Sequence, residues 1–228
     1  MKNNTRAAGR RVSLSIYPII MTALTYLPII VVVVYSFNAS KLTSQWGGFS
    51  LKWYDELSRD RDMLEALENS LFLASVSAIL AALIATPAAI GMKRSNLPLR
   101  GLIEKTALLP LIIPEIILGM VLLAFFHMAG FSLGMPTLVI AHTAFCIPYV
   151  YTQVRAGLEV LDPAMTEAAR DLGAGKLTAF FTVTLPLISP AVVSGMFMSF
   201  AMSFDDVIIS IFVTGPSVNT LPIRVTRS

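Results

Sequence analysis

The sequence predicts an all-α membrane protein, a polytopic helical bundle, and three observations predict it. The chain of 228 residues is 55% hydrophobic and only 14% charged, with a mean hydropathy of +0.73. A soluble domain of this length needs far more surface charge, so the apolar excess must face a lipid bilayer, and a soluble enzyme is excluded. Second, five stretches are long enough to cross a bilayer, which takes about 20 apolar residues: 13–37, 69–92, 106–127, 134–154 and 188–213. Third, the basic residues behind the formal net charge of +3 are bunched between these stretches. The bunching sets orientation, and nothing in it points to nucleic acid.

The first span follows Lys2, Arg6, Arg10 and Arg11. Its apolar core is too long for a cleaved leader, so it reads as an uncleaved anchor with a cytoplasmic N-terminus. The next segment carries Asp55, Glu56, Asp60, Asp62, Glu65 and Glu68 and belongs outside. Trp46, Trp53 and Tyr54 there suit interfacial anchoring and reception of an external protein equally. On this basis the chain divides into 1–62 and 63–228. In the second span Ala81, Ala82, Ala85, Ala88 and Ala89 make a thin face for close helix contact, or simply an alanine-rich helix. Lys93, Arg94, Arg100 and Lys105 then mark a cytoplasmic connection. The uncharged turn near Gly130 lies outside, which leaves the loop 155–187 in the cytoplasm. Pro18, Pro28, Pro87, Pro110, Pro114, Pro148 and Pro190 each remove a backbone donor inside a span, so the helices should be kinked and tightly bundled. Cys146 is the single cysteine and has no disulfide partner in the chain.

The loop 155–187 is more than a connector. Asp162 followed by Pro163 predicts a helix start, with the carboxylate as N-cap and proline in the first turn. Residues 165–172 then read as a short helix that Gly173 stops in the left-handed conformation. Ala164, Ala168 and Leu172 share one face at four-residue spacing, with Ala169 beside them. A face this small can nestle against another protein, and Glu167 and Arg170 flank it to fix register by charge. A second short element is expected over 176–183, ended by Leu185-Pro186 where the last span begins.

Glu167-Ala168-Ala169, Gly173, Val183 and Leu185-Pro186, at these spacings, resemble the "EAA" loop of bacterial ABC importer permeases, with Val183 where isoleucine is usual. The resemblance implies a type I importer fold in the cytoplasmic (inner) membrane. It also implies that Ala164, Glu167, Ala168, Ala169, Arg170, Leu172, Gly173, Leu185 and Pro186 form a coupling element for a separate ATPase. Tyr35-Ser36-Phe37-Asn38, Trp46-Gly47-Gly48-Phe49, Lys52-Trp53-Tyr54, Ser203-Phe204-Asp205-Asp206, Gly215-Pro216 and Thr220-Leu221-Pro222 look like the spermidine/putrescine branch, specifically its C-type second permease subunit. Related permeases for other organic cations and for phosphonates share parts of these. The partners implied are a second permease subunit in a heterodimer, a cytoplasmic ATPase dimer and an external substrate-binding protein. ATP and magnesium would sit on the ATPase, with no cofactor on this chain. Family members carry a further span beyond Leu221-Pro222, so six spans are expected where five are read, and the end at Ser228 suggests a truncated product or an incomplete gene reading.

No phosphate loop supplies energy from within. Gly173-Ala174-Gly175-Lys176 lacks the earlier glycine, since Arg170 stands there, and Leu177 replaces the required Ser or Thr. Glu115, Asp205 and Asp206 fall inside spans, where each costs about 2.5–3.5 kcal/mol if it faces lipid. They should therefore face the bundle interior or a wet cavity. With Phe200 and Phe204 nearby, such acids suit a polyamine through charge pairing and cation–π contact. Capping of neighbouring helices or bonding to kinked backbone is the competing role. Neighbours on a helix diverge by about 100°, so Asp205 and Asp206 cannot both aim at one point, and one is expected to line the path while the other bonds within the bundle. His127 and His142 lack a metal-ligand pattern and fit interfacial or buried hydrogen-bonding roles. An ion-coupled secondary transporter would leave the loop pattern unexplained. An intramembrane serine protease would have only Ser194-Gly195 and His142 to work with.

Overall fold

The computed structural model describes residues 3–42, 44–94, 100–216 and 218–227, with side chains from Tyr17 onward except at positions 94 and 100. Lys2 and Ser228, and the side chains of Arg6, Arg10, Arg11, Arg94 and Arg100, lie outside this description. The chain falls into two compact units, Met1–Arg61 and Asp62–Ser228.

In the first unit, α1 (Asn3–Tyr35) is one continuous helix with Pro18 and Pro28 inside it, and its apolar stretch Tyr17–Tyr35 is exposed throughout. The chain then folds into a small knot around Asn38. The Asn38 amide donates to Gln45 O at 2.7 Å, and its Oδ1 accepts from Gly47 N at 2.7 Å and Ser40 N at 3.1 Å. Trp53, on α2 (Lys52–Arg59), donates from Nε1 to Asn38 O at 2.8 Å.

In the second unit, the long helix α3 (Arg61–Arg94) carries the alanine face into the core: Ala81, Ala82, Ala85 and Ala89 are buried, whereas Ala88 is exposed. The third expected span is not one helix. It divides into α4 (Arg100–Ala107), α5 (Leu109–Ile112) and α6 (Glu115–Met128). The two prolines cause the break, since Pro114 disfavours helical geometry at the residue before it, and Ile113 is extended with ψ 132°. α7 (Met135–Val160) has 26 residues and reaches about 39 Å at 1.5 Å per residue.

The next segment begins with α8 (Pro163–Asp171), followed by α9 (Lys176–Ala179), a π-helical turn Phe180–Thr184 and α10 (Leu185–Asp205). Leu185-Pro186 does not end the second short element. Leu185 N–H bonds to Phe180 O, five residues back, and this widened turn accommodates the proline that lacks a donor, so 176–205 runs as one apolar rod. The last expected span also breaks: Asp206 is extended, with ψ 122°, and α11 (Ile208–Val213) follows. α12 (Leu221–Arg227) completes the described helices.

α7 and α10 pack along their lengths, and α11 packs on α6. Close approach is set by glycine: a Cβ at Gly195 would meet Val150 Cα at 2.9 Å. The enclosed core includes Leu73, Phe126, Phe145, Val150, Ile188 and Ile209. Polar contacts sort to the two ends of this bundle. At one end Lys93 donates from Nζ to Leu158 O, and Arg155 pairs with Glu104 at 3.3 Å and Glu159 at 3.2 Å. At the other, Leu221 N–H bonds to Ser70 Oγ at 2.8 Å, and Arg224 pairs with Asp62 at 3.2 Å. Lys93 and the loop 155–187 therefore share an end, as the charge distribution requires.

Candidate functional site

Two sites emerge, one at the Lys93 end and one inside the bundle. At the Lys93 end, α8 is a capped knob. Asp162 Oδ1 accepts from Ala164 N at 2.9 Å, closing the N-terminus, and Pro163 fills the first turn. At its C-terminus Gly173 takes φ +89°, Gly173 N–H bonds to Arg170 O at 2.9 Å, and Ala174 N–H bonds to Ala169 O at 3.1 Å. Those paired bonds are a Schellman closure, which only a left-handed residue permits. No residue of α8 is buried. Ala164, Glu167, Ala168, Arg170, Leu172 and Gly173 are exposed and Ala169 is half-buried, while Leu172 stands 91% free. Leu185 and Pro186 lie apart from this face, at the start of α10. A cavity of 410 Å³ at the root of the knob is lined by Lys93, Thr166, Glu167, Arg170 and Lys176, among others.

Inside the bundle, the three acids sit in different surroundings. Glu115 sits in the first turn of α6, directly after Pro114, and is half-buried. Asp205 ends α10 and is exposed. Phe200 and Phe204 stack near it in sequence, with ring centroids 5.9 Å apart and planes at 12°. Asp206 is buried and turned inward: Oδ1 accepts from Ile209 N at 3.2 Å, and Oδ2 accepts from Ser210 N at 2.9 Å and Ser210 Oγ at 3.1 Å. It thus satisfies the first backbone donors of α11, which a break inside a membrane would otherwise orphan.

Sequence reasoning did not find the partners of this cap. His142 on α7 is fully buried, with Nδ1 2.8 Å from Ser203 Oγ and Nε2 3.0 Å from Ser210 Oγ. Its Nε2 also lies 3.5 Å from Asp206 Oδ2. Buried hydrogen bonding was one of its two expected roles. Both ring nitrogens are taken by Ser203 and Ser210, so the protease pairing with Ser194 is not formed. The spacing Asp206-Val207-Ile208-Ile209-Ser210 was the available signal, since a carboxylate followed four residues on by serine can close a helix N-terminus. His127 is exposed in the last turn of α6.

Similarity to known proteins points the same way as the knob. Residues 77–228 match the family described as binding-protein-dependent transport system inner membrane component. The putrescine transport system permease protein PotI of Escherichia coli K12 is 40% identical over 211 residues, covering 89% of this chain and 75% of that protein. The spermidine/putrescine transport system permease protein PotC of the same strain is 38% identical over 203 residues, covering 89% and 77%. The Haemophilus influenzae PotC is 37% identical, covering 90% and 80%. Among solved structures, a bacterial ABC transporter involved in import of the acidic polysaccharide alginate superposes with a TM-score of 0.74 at 16% identity, covering 99% of this chain and 80% of that one. An amino acid ABC transporter superposes with a TM-score of 0.58 at 19% identity, covering 78% and 79%. At such identities these two speak for the fold alone. This chain is a multi-pass membrane protein that belongs to the binding-protein-dependent transport system inner membrane component family, the permease subunits of ABC importers.

Proposed function

We propose that this chain is the second, C-type permease of an importer that carries putrescine and spermidine across the bacterial inner membrane by alternating access. The observation that carries the reading is α8: a helix closed at both ends by its own sequence, with no buried residue, presenting a small apolar face flanked by Glu167 and Arg170. A helix that buries nothing of its own chain, yet is capped this completely, is built to be covered by something else. In this reading a cytoplasmic ATPase dimer covers it and binds ATP and magnesium. Closure of that dimer moves α8, and through α9 and α10 as one rod moves the intramembrane break at Asp206. A second permease subunit completes the path and an external binding protein delivers the cargo. The N-terminus of this chain is cytoplasmic.

The cargo assignment rests on the relatives' names and on the acids. Glu115, Asp205 and the stacked Phe200–Phe204 pair offer carboxylates and ring faces to an alkyl chain bearing ammonium groups. The test is uptake of labelled putrescine and spermidine into right-side-out vesicles loaded with ATP and holding the chain with its co-expressed partner subunits. The reading expects ATP-dependent accumulation of one or both amines. ATP-dependent accumulation of neither would overturn the cargo, and accumulation without ATP would overturn the coupling.

A further inference from the structure

The hydrogen-bond chain at the α10–α11 break assigns protons along its length. As a carboxylate, Asp206 only accepts, so Ser210 Oγ, 3.1 Å from Oδ2, must donate its single proton there. Ser210 Oγ can then only accept from His142, which puts the ring proton on Nε2, 3.0 Å away. Nδ1 lies 2.8 Å from Ser203 Oγ, within hydrogen-bond distance. One imidazole thereby joins three segments: Ser203 of α10, its own α7, and Ser210 of α11. Every member of the chain is buried, while Asp205, one residue before Asp206, is exposed.

We propose that His142 is a positioning residue of the transport path: it holds Asp206 inward as the cap of α11, so that Asp205 is the carboxylate offered to the cargo. Without the Nε2 partner Ser210 Oγ is free to rotate away from Oδ2, Asp206 keeps only its two backbone donors, and its hold against the place offered to Asp205 is weakened. The inference rests on the cation-import reading above. It adds a residue that touches no cargo and acts through the register of the break.

The test compares His142→Phe, which keeps bulk and removes both polar atoms, with His142→Gln, which restores a donor at the Nε2 position. Each chain is purified with its partners and assayed in vesicles for putrescine uptake. We expect His142→Phe to raise the KM for uptake about tenfold with co-purified ATPase unchanged, and His142→Gln to recover most of the difference. A purely structural role would lower the amount of assembled complex and the maximal rate in both variants, with KM unmoved. That result, or parental kinetics in His142→Phe, overturns the proposal. Absence of uptake by the parent itself would overturn the cargo reading instead. In that event thiol labelling of Asp205→Cys, in a Cys146→Ala chain, reads the geometry directly. Labelling altered about fivefold or more by His142→Phe supports the positioning role, and an unaltered rate overturns it.

Discussion

Two adjacent aspartates illustrate how one residue step changes the chemistry asked of a carboxylate. Asp206 accepts two backbone N–H groups and a hydroxyl within a buried break, whereas Asp205 is exposed one position earlier. Replacing Asp206 by Asn keeps the shape but turns one acceptor into a donor facing Ser210 N–H, and leaving such a group unsatisfied costs about 1–3 kcal/mol. We predict that Asp206→Asn lowers the melting temperature of the purified complex and weakens amine uptake more than it weakens ATPase association. Asp205→Asn has no cap to lose, so it should leave the melting temperature unchanged and raise the KM for uptake. Equal thermal shifts for the two variants would contradict the assignment of the cap to Asp206.

At the scale of elements, the ends of α8 and the crossing of α7 with α10 are where sequence dictates geometry most directly. The Asp162 cap bond, at 2.9 Å, is of a kind worth about 1 kcal/mol. Asp162→Ala should therefore fray α8 and weaken ATPase binding by about fivefold, read by titrating purified ATPase onto the permease complex. At the crossing, a side chain at Gly195 would press on the Val150 backbone, which cannot swing aside. Overpacking of this sort costs about 1–3 kcal/mol, so Gly195→Leu should cut the yield of folded, monodisperse permease. Gly91→Ala, where nothing lies within 4 Å of the new methyl, should not. The α8 caps were legible in the sequence because each is decided within six residues: Asp162-Pro163 opens the helix and Gly173 closes it. The breaks were harder. Pro110 and Pro114 announced a kink, but the full separation of α5 from α6 depends on Ile113 being driven extended. In 188–213 the signals of the second break were Asp206, for which helix capping was the competing role, and Ser210, four residues on.

Over the whole molecule, charge and hydropathy located the apolar helices and the polar loop because both follow from the solvent each segment must meet. What they could not convey was pairing at long range: His142 meets Ser203 and Ser210 across more than sixty positions, and Arg155 meets Glu104 across 51. The first of these contacts belongs to the break and the second to the base of α8. Lys93 holds the carbonyl of Leu158 just before the α8 cap, and Arg155 ties the same end of α7 to α4, so the knob stands on a braced base. α8 packs against α9 and the π-helical turn, and from α9 the chain reaches the Asp206 break as one rod. In the proposed mechanism a push by the ATPase on α8 is delivered to the break along this rod. Glu167 is exposed on that surface beside Arg170, and a reversed charge there opposes docking while disturbing no buried contact of this chain. Glu167→Lys should reduce co-purified ATPase at least about tenfold, the scale of losing a desolvated charge contact in an interface. Membrane insertion and pairing with the second permease should persist, as read by their recovery in the same purification. Undiminished ATPase recovery with this variant would remove Glu167 from the docking surface and leave the braced base without the partner that explains it.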